Sequence, residues 1–447
     1  MRLVCSIFRN LARLFHESLT ATTDVELAVF DLSKPDSRQL SLRIIAMVGI
    51  EQIKQAAEVL QSVAIETPLV YSNYFSRRFE AQIYLKLENL QRTGSFKFRG
   101  AYHKLTKISD SLGPGGVVAA SAGNHAQGVA HAAQLMGVSS IILMPEWASI
   151  SKQVATRSYG GQVLLTGNSL GECLVEAQKL EAEGRTFIHP YDDEDIIAGQ
   201  GTVGLEILSQ LPEVEAILVP VGGGGLIAGI ATAVKSLRPQ TSVIGVQASA
   251  CTSAPAALEQ GKPVTVPAND SIADGITVKQ VGQLPFDVMQ SSVDQVVAVE
   301  EEEIATAMLE LLERKKILAE GSGAVPLAAL MGEQLGQLRG RAAVLVVSGG
   351  NVDTHLLGRI LRKGLFKTNR IMRFSVQLRD VPGALADLIK VVADCRGNIL
   401  HVYHDRLGRH LPVELSRVEL EVETRGPDHL KELLNALKAK DYEVDAR

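Results

Sequence analysis

Ile83-Tyr84-Leu85-Lys86-Leu87-Glu88, followed by Thr93-Gly94-Ser95-Phe96-Lys97-Phe98-Arg99-Gly100, reads as a strand, a glycine-bounded turn and the start of a helix. Aliphatic and aromatic residues carry the strand, and the glycines mark where the backbone turns. Lys97 sits between two aromatic side chains in that turn. Such flanking strips water from an ammonium, disfavours the charged form and lowers the pKa, so that the neutral amine can attack a carbonyl. A lone lysine is ordinarily a solvated surface charge. Three further strand-to-turn segments set this one apart.

Val117-Val118-Ala119-Ala120 leads into Ser121-Ala122-Gly123-Asn124-His125-Ala126-Gln127-Gly128 and an alanine-rich helical stretch to Leu135. A helix start offers unpaired N–H groups and a partial positive charge, a seat for a carboxylate or a phenolate. An ordinary helix capped by Ser121 or Asn124 uses the same residues. Ile217-Leu218-Val219-Pro220-Val221 precedes Gly222-Gly223-Gly224-Gly225-Leu226-Ile227-Ala228-Gly229. Four consecutive glycines leave only backbone, so several N–H groups can converge on a phosphate. No Gly-Lys-Ser/Thr ending follows, which argues against a nucleoside triphosphate loop. Gly223, Gly225 and Ala228 meet a dinucleotide pattern only loosely, because the next strand, Ser242-Val243-Ile244-Gly245-Val246, ends at Gln247 where a ribose-binding acid is wanted. Val344-Leu345-Val346-Val347 ends in Ser348-Gly349-Gly350-Asn351. An amine, an anion seat, a phosphate cradle and a hydroxyl-bearing strand end are the parts that hold pyridoxal phosphate.

Taken in order with Ala198-Gly199-Gln200-Gly201-Thr202, these motifs resemble the threonine dehydratases (threonine ammonia-lyases) of the tryptophan-synthase-β-like fold, fold type II of the pyridoxal phosphate enzymes, over roughly residues 50 to 365. The resemblance implies that Lys97 is catalytic and carries the cofactor covalently. It implies that Phe96 packs against the cofactor ring, Asn124 bonds the phenolic oxygen, Gly222, Gly223, Gly224, Gly225 and Leu226 hold the phosphate, and Ser348 faces the pyridine nitrogen. Ser121, with the amides at Asn124 and His125, would take the substrate carboxylate. The implied reaction converts L-threonine to 2-oxobutanoate and ammonia, and L-serine to pyruvate, as the opening step of isoleucine synthesis. Serine racemase or serine dehydratase of the same fold, and catabolic threonine dehydratase, are the alternatives. Racemases look to carry a serine where Ala122 stands and acidic metal ligands where Gln247 and Ser253 stand, so no divalent metal site is expected here.

From about 51 to 365 short β-branched runs alternate with alanine- and leucine-rich stretches: Ser139–Met144 and Gly161–Leu165 as strands, Leu170–Glu183 and Ala231–Leu237 as helices. That alternation predicts an α/β architecture with parallel strands, helices on both faces and ligands at strand ends. Glu300–Lys315 reads as an amphipathic helix, Glu320 as the start of another, and Arg362–Arg370 as a polar linker. Beyond it, Ile371–Leu378 alternates as a strand, and Asp380-Val381-Pro382-Gly383 turns into a helix over Ala384–Arg396. Strands at Asn398–His404 and Ser416–Glu423, a helix at Pro427–Lys440 and a strand at Tyr442–Val444 complete a small ferredoxin-like α+β order. This part resembles an ACT domain in Asp380-x-Pro382-Gly383-x-Leu385 and Gly397-Asn398-Ile399. The resemblance implies an amino-acid effector, isoleucine with valine as an opposing ligand, at Asp380, Gly383, Ala384, Leu385, Asn398 and Ile399, and a homo-oligomer, dimer or tetramer.

The chain is thus expected to divide into a poorly ordered extension (1–46), a two-lobed catalytic part (47–365) and a regulatory part (370–447). With 447 residues, 46% of them hydrophobic, there is material for two or three cores. The formal net charge is −5 without a basic block, which excludes the clustered lysine and arginine of nucleic-acid binders. Cys5, Cys173, Cys251 and Cys395 show no paired spacing, so neither a zinc site nor a disulfide framework is expected, and a reducing cytoplasm fits. No apolar run reaches membrane-spanning length. Arg2, Arg9 and Arg13 hint at a targeting peptide, but the apolar core is short and acids follow at Asp24, Glu26, Asp31 and Asp36; Met47 reads as an alternative start. Two other function classes are open. A nicotinamide oxidoreductase rests on the loose glycine pattern alone, and a silent amino-acid sensor conflicts with Lys97, the glycine run and Ser348.

Overall fold

The computed structural model describes residues 48–332, 334–408 and 411–446; the extension expected over 1–46 lies outside them. In chain order the first ten strands are β1 (Leu69–Tyr71), β2 (Gln82–Leu87), β3 (Val117–Ala120), β4 (Ser140–Met144), β5 (Gln162–Leu165), β6 (Thr186–Phe187), β7 (Ala216–Pro220), β8 (Ser242–Ala248), β9 (Gln295–Val299) and β10 (Ala342–Val347). They form two sheets, a six-stranded one ordered β1-β2-β10-β7-β8-β9 and a four-stranded one ordered β5-β4-β3-β6. Every pairing is parallel except β1 with β2. β7 and β10 are buried at every residue. Helices cover both faces of a parallel sheet, which is why such strands are continuous apolar runs and not alternating ones.

The helix Glu194–Gln210 packs against the helices Lys97–Ile108 and Gly225–Leu237. A Cβ on Gly199 would lie 2.6 Å from Gly100 Cα, and one on Gly229 would lie 2.5 Å from the Gly201 nitrogen. The Ala198–Thr202 motif is therefore a crossing point where backbones touch, and it fixes the helix that begins at Lys97.

The last four strands, β11 (Ile371–Arg379), β12 (Asn398–Asp405), β13 (Leu415–Glu423) and β14 (Val444–Ala446), make a separate antiparallel sheet ordered β12-β13-β11-β14. The helices Ala384–Asp394 and Pro427–Lys438 pack on it, burying Phe374, Val376, Leu388, Val392, Val418, Leu420, Leu433 and Leu437. This is the expected ferredoxin-like order.

Three local expectations shift. Arg362–Arg370 is not a linker over most of its length, because the helix Thr354–Lys367 runs through it. Its charged residues form a polar face: Ile360 is buried, Arg362 bonds Glu421 and Lys363 bonds Glu302. The expected Glu300–Lys315 helix is α-helical over Glu301–Glu310, then widens to a π turn over Leu311–Lys315 that ends at Lys316 with φ +60°. The terminal strand lies two residues later than expected, because Tyr442 packs into the core. No helix among the described residues is long and apolar enough to cross a membrane.

Candidate active site

Four segments leave the C-terminal ends of β2, β3, β7 and β10, the edge at which parallel α/β sheets bind ligands. Two of them are zipped together. Ser95 bridges Gly349, the Phe96 N–H donates to the Ser348 carbonyl at 3.1 Å, and the Gly350 N–H donates to the Gly94 carbonyl at 2.9 Å. Lys97, the first residue of its helix, is thereby fixed against the buried Ser348.

Lys97 Nζ donates to the Pro190 carbonyl at 2.7 Å and lies 5.2 Å from the centroid of the half-buried Phe96 ring. Burial lowers its pKa to about 8, against the opposing pull of the Glu320 carboxylate. An amine so poised is mostly protonated near neutrality but holds a far larger neutral fraction than an ordinary lysine, which is the form a carbonyl-attacking lysine uses.

Pro190 leads to Tyr191, whose ring fills the space beside the glycine run; a Cβ on Gly223 would lie 2.3 Å from it. Gly224 caps the helix Gly225–Leu237 at φ +96°, a conformation that favours glycine. No protein acceptor among the described residues takes the N–H groups of Gly222, Gly223, Gly224, Gly225 or Leu226. Spare amides without side chains at a helix N-terminus suit a phosphate dianion. Together with Lys97 they fit pyridoxal phosphate.

Ser121 follows β3, and its Oγ accepts from the Gly123 N–H at 3.2 Å. Asn124 and His125 open the helix Asn124–Leu135. The His125 ring is committed elsewhere: its Nε2 meets the Ile188 carbonyl at 2.9 Å, and burial, helped by Lys97, lowers its pKa to about 3. Only the backbone N–H of His125 is thus free to serve a carboxylate. The amide of Gln247 is likewise saturated, by the Val221 carbonyl, Ser253 Oγ and the Ala254 N–H.

Beneath Lys97 lies a cluster of buried charge. Arg99 donates to both oxygens of Glu88 at 2.8 Å, and to Glu206 Oε1 at 2.6 Å and Thr202 Oγ1 at 3.2 Å. Lys86 Nζ completes it, at 2.5 Å from Glu206 Oε2 and 2.7 Å from the Thr67 carbonyl. Burial pushes the Glu88 carboxyl up, but Arg99 and then Lys86 outweigh it and hold the group below the usual carboxylate range.

At the C-terminal sheet, Asp380, Gly383, Ala384 and Leu385 line one pocket of about 370 Å³ with Arg379, His404, Arg406 and Ser416. Arg406 Nε lies 3.0 Å from Asp380 Oδ1. Asn398 and Ile399 stand apart: they begin β12 beside Glu423 and Val422, whereas the pocket lies at the strand's far end, some 20 Å away at the rise of an extended chain.

Pro190 and Tyr191 join the site without having been singled out, and Asn351, quoted only as the end of the Ser348 motif, joins it with no role assigned from the sequence. Pro190 and Tyr191 follow β6, a strand of two residues that carries no periodic signal.

The family described as pyridoxal-phosphate dependent enzymes matches residues 60–350. The L-threonine ammonia-lyase of Thermotoga maritima is 46% identical over 399 residues, 89% of this chain and 99% of that protein. The catabolic L-threonine dehydratase TdcB of Escherichia coli K12 is 43% identical over 315 residues, 70% of this chain and 96% of that one. Among solved structures, maize serine racemase superposes with a TM-score of 0.68 at 32% identity, covering 72% of this chain and 99% of the racemase.

Proposed function

We propose, given that this chain belongs to the family of pyridoxal-phosphate dependent enzymes, that it is a threonine ammonia-lyase. Its catalytic part has the type II, tryptophan-synthase-β-like fold, and it depends on pyridoxal 5'-phosphate. L-threonine would yield 2-oxobutanoate and ammonia, and L-serine pyruvate and ammonia. The observation that carries the reading is a partly desolvated Lys97 amine tied to the Pro190–Tyr191 turn, which itself packs on the glycine cradle.

Bound there, the cofactor supplies the electron sink that makes the substrate Cα proton acidic. Lys97 would hold the cofactor in the resting enzyme and, once freed by the substrate, take the Cα proton on Nζ. Glycines 222–225 and the Leu226 amide would anchor the phosphate, Asn124 the phenolic oxygen and Phe96 a ring face. Ser348, a hydroxyl and not a carboxylate, would leave the pyridine nitrogen unprotonated, moderating the sink and favouring elimination. Ser121 and the backbone at Asn124 and His125 would hold the substrate carboxylate. Loss of the β-hydroxyl as water and hydrolysis of the enamine product complete the balance.

The likeness to maize serine racemase makes racemisation the second reading. It needs a proton donor on the face opposite Lys97, and Ala122 offers only a methyl group. Purified, cofactor-loaded protein mixed with L-threonine should form equimolar 2-oxobutanoate and ammonia faster than it forms pyruvate from L-serine. D-serine as the main product from L-serine would favour the racemase.

The C-terminal pocket supports amino-acid control. It joins a helix start at Ala384 to a paired Asp380 and Arg406, partners for a carboxylate and an ammonium. Isoleucine as inhibitor, valine as its opponent, a role opening isoleucine synthesis, a homo-oligomeric state and a cytoplasmic setting belong to this reading.

A further inference from the structure

The Lys97 turn and the Ser348 loop are linked by a chain of side-chain hydrogen bonds whose direction is set from one end. Asn351 Nδ2 donates to the Thr93 carbonyl at 2.8 Å and to Asn124 Oδ1 at 2.8 Å; Asn124 Nδ2 donates to Glu320 Oε1 at 2.6 Å. A backbone carbonyl can only accept, so it decides which end of Asn351 is the nitrogen. Both hydrogens of that nitrogen are then used, and Asn124 must turn its oxygen toward Asn351 and its NH2 toward Glu320. One hydrogen of Asn124 Nδ2 goes to Glu320. The other is the single donor the chain leaves over.

Glu320 is fixed by its own backbone, whose N–H donates to the Gly349 carbonyl at 3.1 Å, and it is only 6% exposed. The charged groups that act on it are Asp274, which raises its pKa, Lys152, which lowers it, and Lys97, which feels it in return. Asp274 and Lys152 also pair with each other at 2.6 Å. Burial is the largest influence, and with Asp274 it outweighs the Asn124 bond to bring Glu320 up to about 7.

We propose that Glu320 is a positioning residue for the cofactor's phenolic oxygen, aiming and tuning the spare N–H of Asn124 from behind. The inference rests on the reading of Asn124 as the residue that meets that oxygen. An amide that gives one hydrogen to a carboxylate gives its other less strongly, because successive hydrogen bonds polarise one another. Protonation of Glu320 weakens the first bond and strengthens the second. Titration of a residue that never touches the cofactor is thereby read out in the cofactor's own spectrum.

The experiment compares cofactor-loaded wild type with E320Q, recording the violet absorption band across neutral pH and the dissociation constant of pyridoxal phosphate. In wild type the band should change with a midpoint raised above the ordinary carboxylate range, and in E320Q that midpoint should vanish while the cofactor stays bound. An identical midpoint in both proteins would overturn the proposal. If E320Q does not fold or load, N351A serves instead: it frees Asn124 at the other end but keeps Glu320. Its dissociation constant should rise about tenfold with the midpoint shifted, and an unchanged constant and midpoint would overturn the proposal equally. A wild-type protein with no violet band would sink the reading of the cofactor site itself, a separate failure.

Discussion

Arg99 grips Glu88 through two hydrogen bonds of 2.8 Å, both side chains buried, only two residues beyond Lys97. Buried ion pairs add little net stability over apolar packing, but removing one partner strands the other charge at a cost of about 3–5 kcal/mol. Arg99→Met should therefore lower unfolding free energy by about that amount, because Glu88 keeps only Thr67 and Lys86 nearby. Denaturant unfolding measures it, and a loss below about 1 kcal/mol would mean the cluster is not the clamp described.

Lys97→Ala should cut turnover of L-threonine by at least about 10²- to 10⁴-fold, the range proton transfer alone contributes. The fold should persist, since among the described residues Lys97 Nζ makes a single protein hydrogen bond, to Pro190. Steady-state 2-oxobutanoate formation beside a circular dichroism melt distinguishes the two effects. Near-normal turnover would remove Lys97 from its central role.

Cofactor capture by the apo-protein should accelerate as pH rises through about 8, because the neutral Lys97 amine is the attacking form and burial has lowered its pKa to that value. Stopped-flow growth of the violet band gives the profile. An inflection at the ordinary lysine value near 10.5 would show that Lys97 is solvated in the apo state.

His125 links stability to acid. Its folded pKa, about 3, lies below the ordinary 6.5, so between those values the unfolded chain binds the extra proton and stability rises with pH. Full benefit is present above about 6.5 and is lost as pH falls toward 3. His125→Asn should flatten the dependence of melting temperature on pH between 5 and 7, and an unchanged slope would assign it to His103 or His189, which burial also lowers.

The pocket at Asp380 makes the regulatory reading testable. Isoleucine should inhibit the full chain, and Arg406→Ala should raise the inhibitory concentration at least about tenfold, leaving turnover without isoleucine intact. Calorimetric titration of isoleucine into wild type and into a chain ending at Thr368 provides the check. No heat and no inhibition in wild type would leave the C-terminal sheet a purely structural or oligomerising part.

How much of the fold and of the candidate site is legible in the sequence follows the strength of local physics. β3, β7 and β10 are apolar runs stopped by small residues, and at each stop a loop leaves the strand's C-terminal end. Pro190 was invisible because a backbone carbonyl carries no residue identity. Arg362–Arg370 reads as a linker because a charged helix face and a polar linker share one composition. Asn398 and Ile399 belong to a genuine turn-and-strand signal, but only the pairing of β12 with β13 reveals that the pocket opens at the opposite end.

The helix Thr354–Lys367 begins three residues after Asn351 and ends four residues before β11 starts at Ile371. At about 1.5 Å per residue it is a strut roughly 20 Å long, with almost no slack at either joint. A tilt of about 5° about one end displaces the other by about 2 Å, comparable to the difference between a made and a broken hydrogen bond. The helix Thr354–Lys367 is the stretch of chain that joins the C-terminal sheet to the loop carrying Asn351.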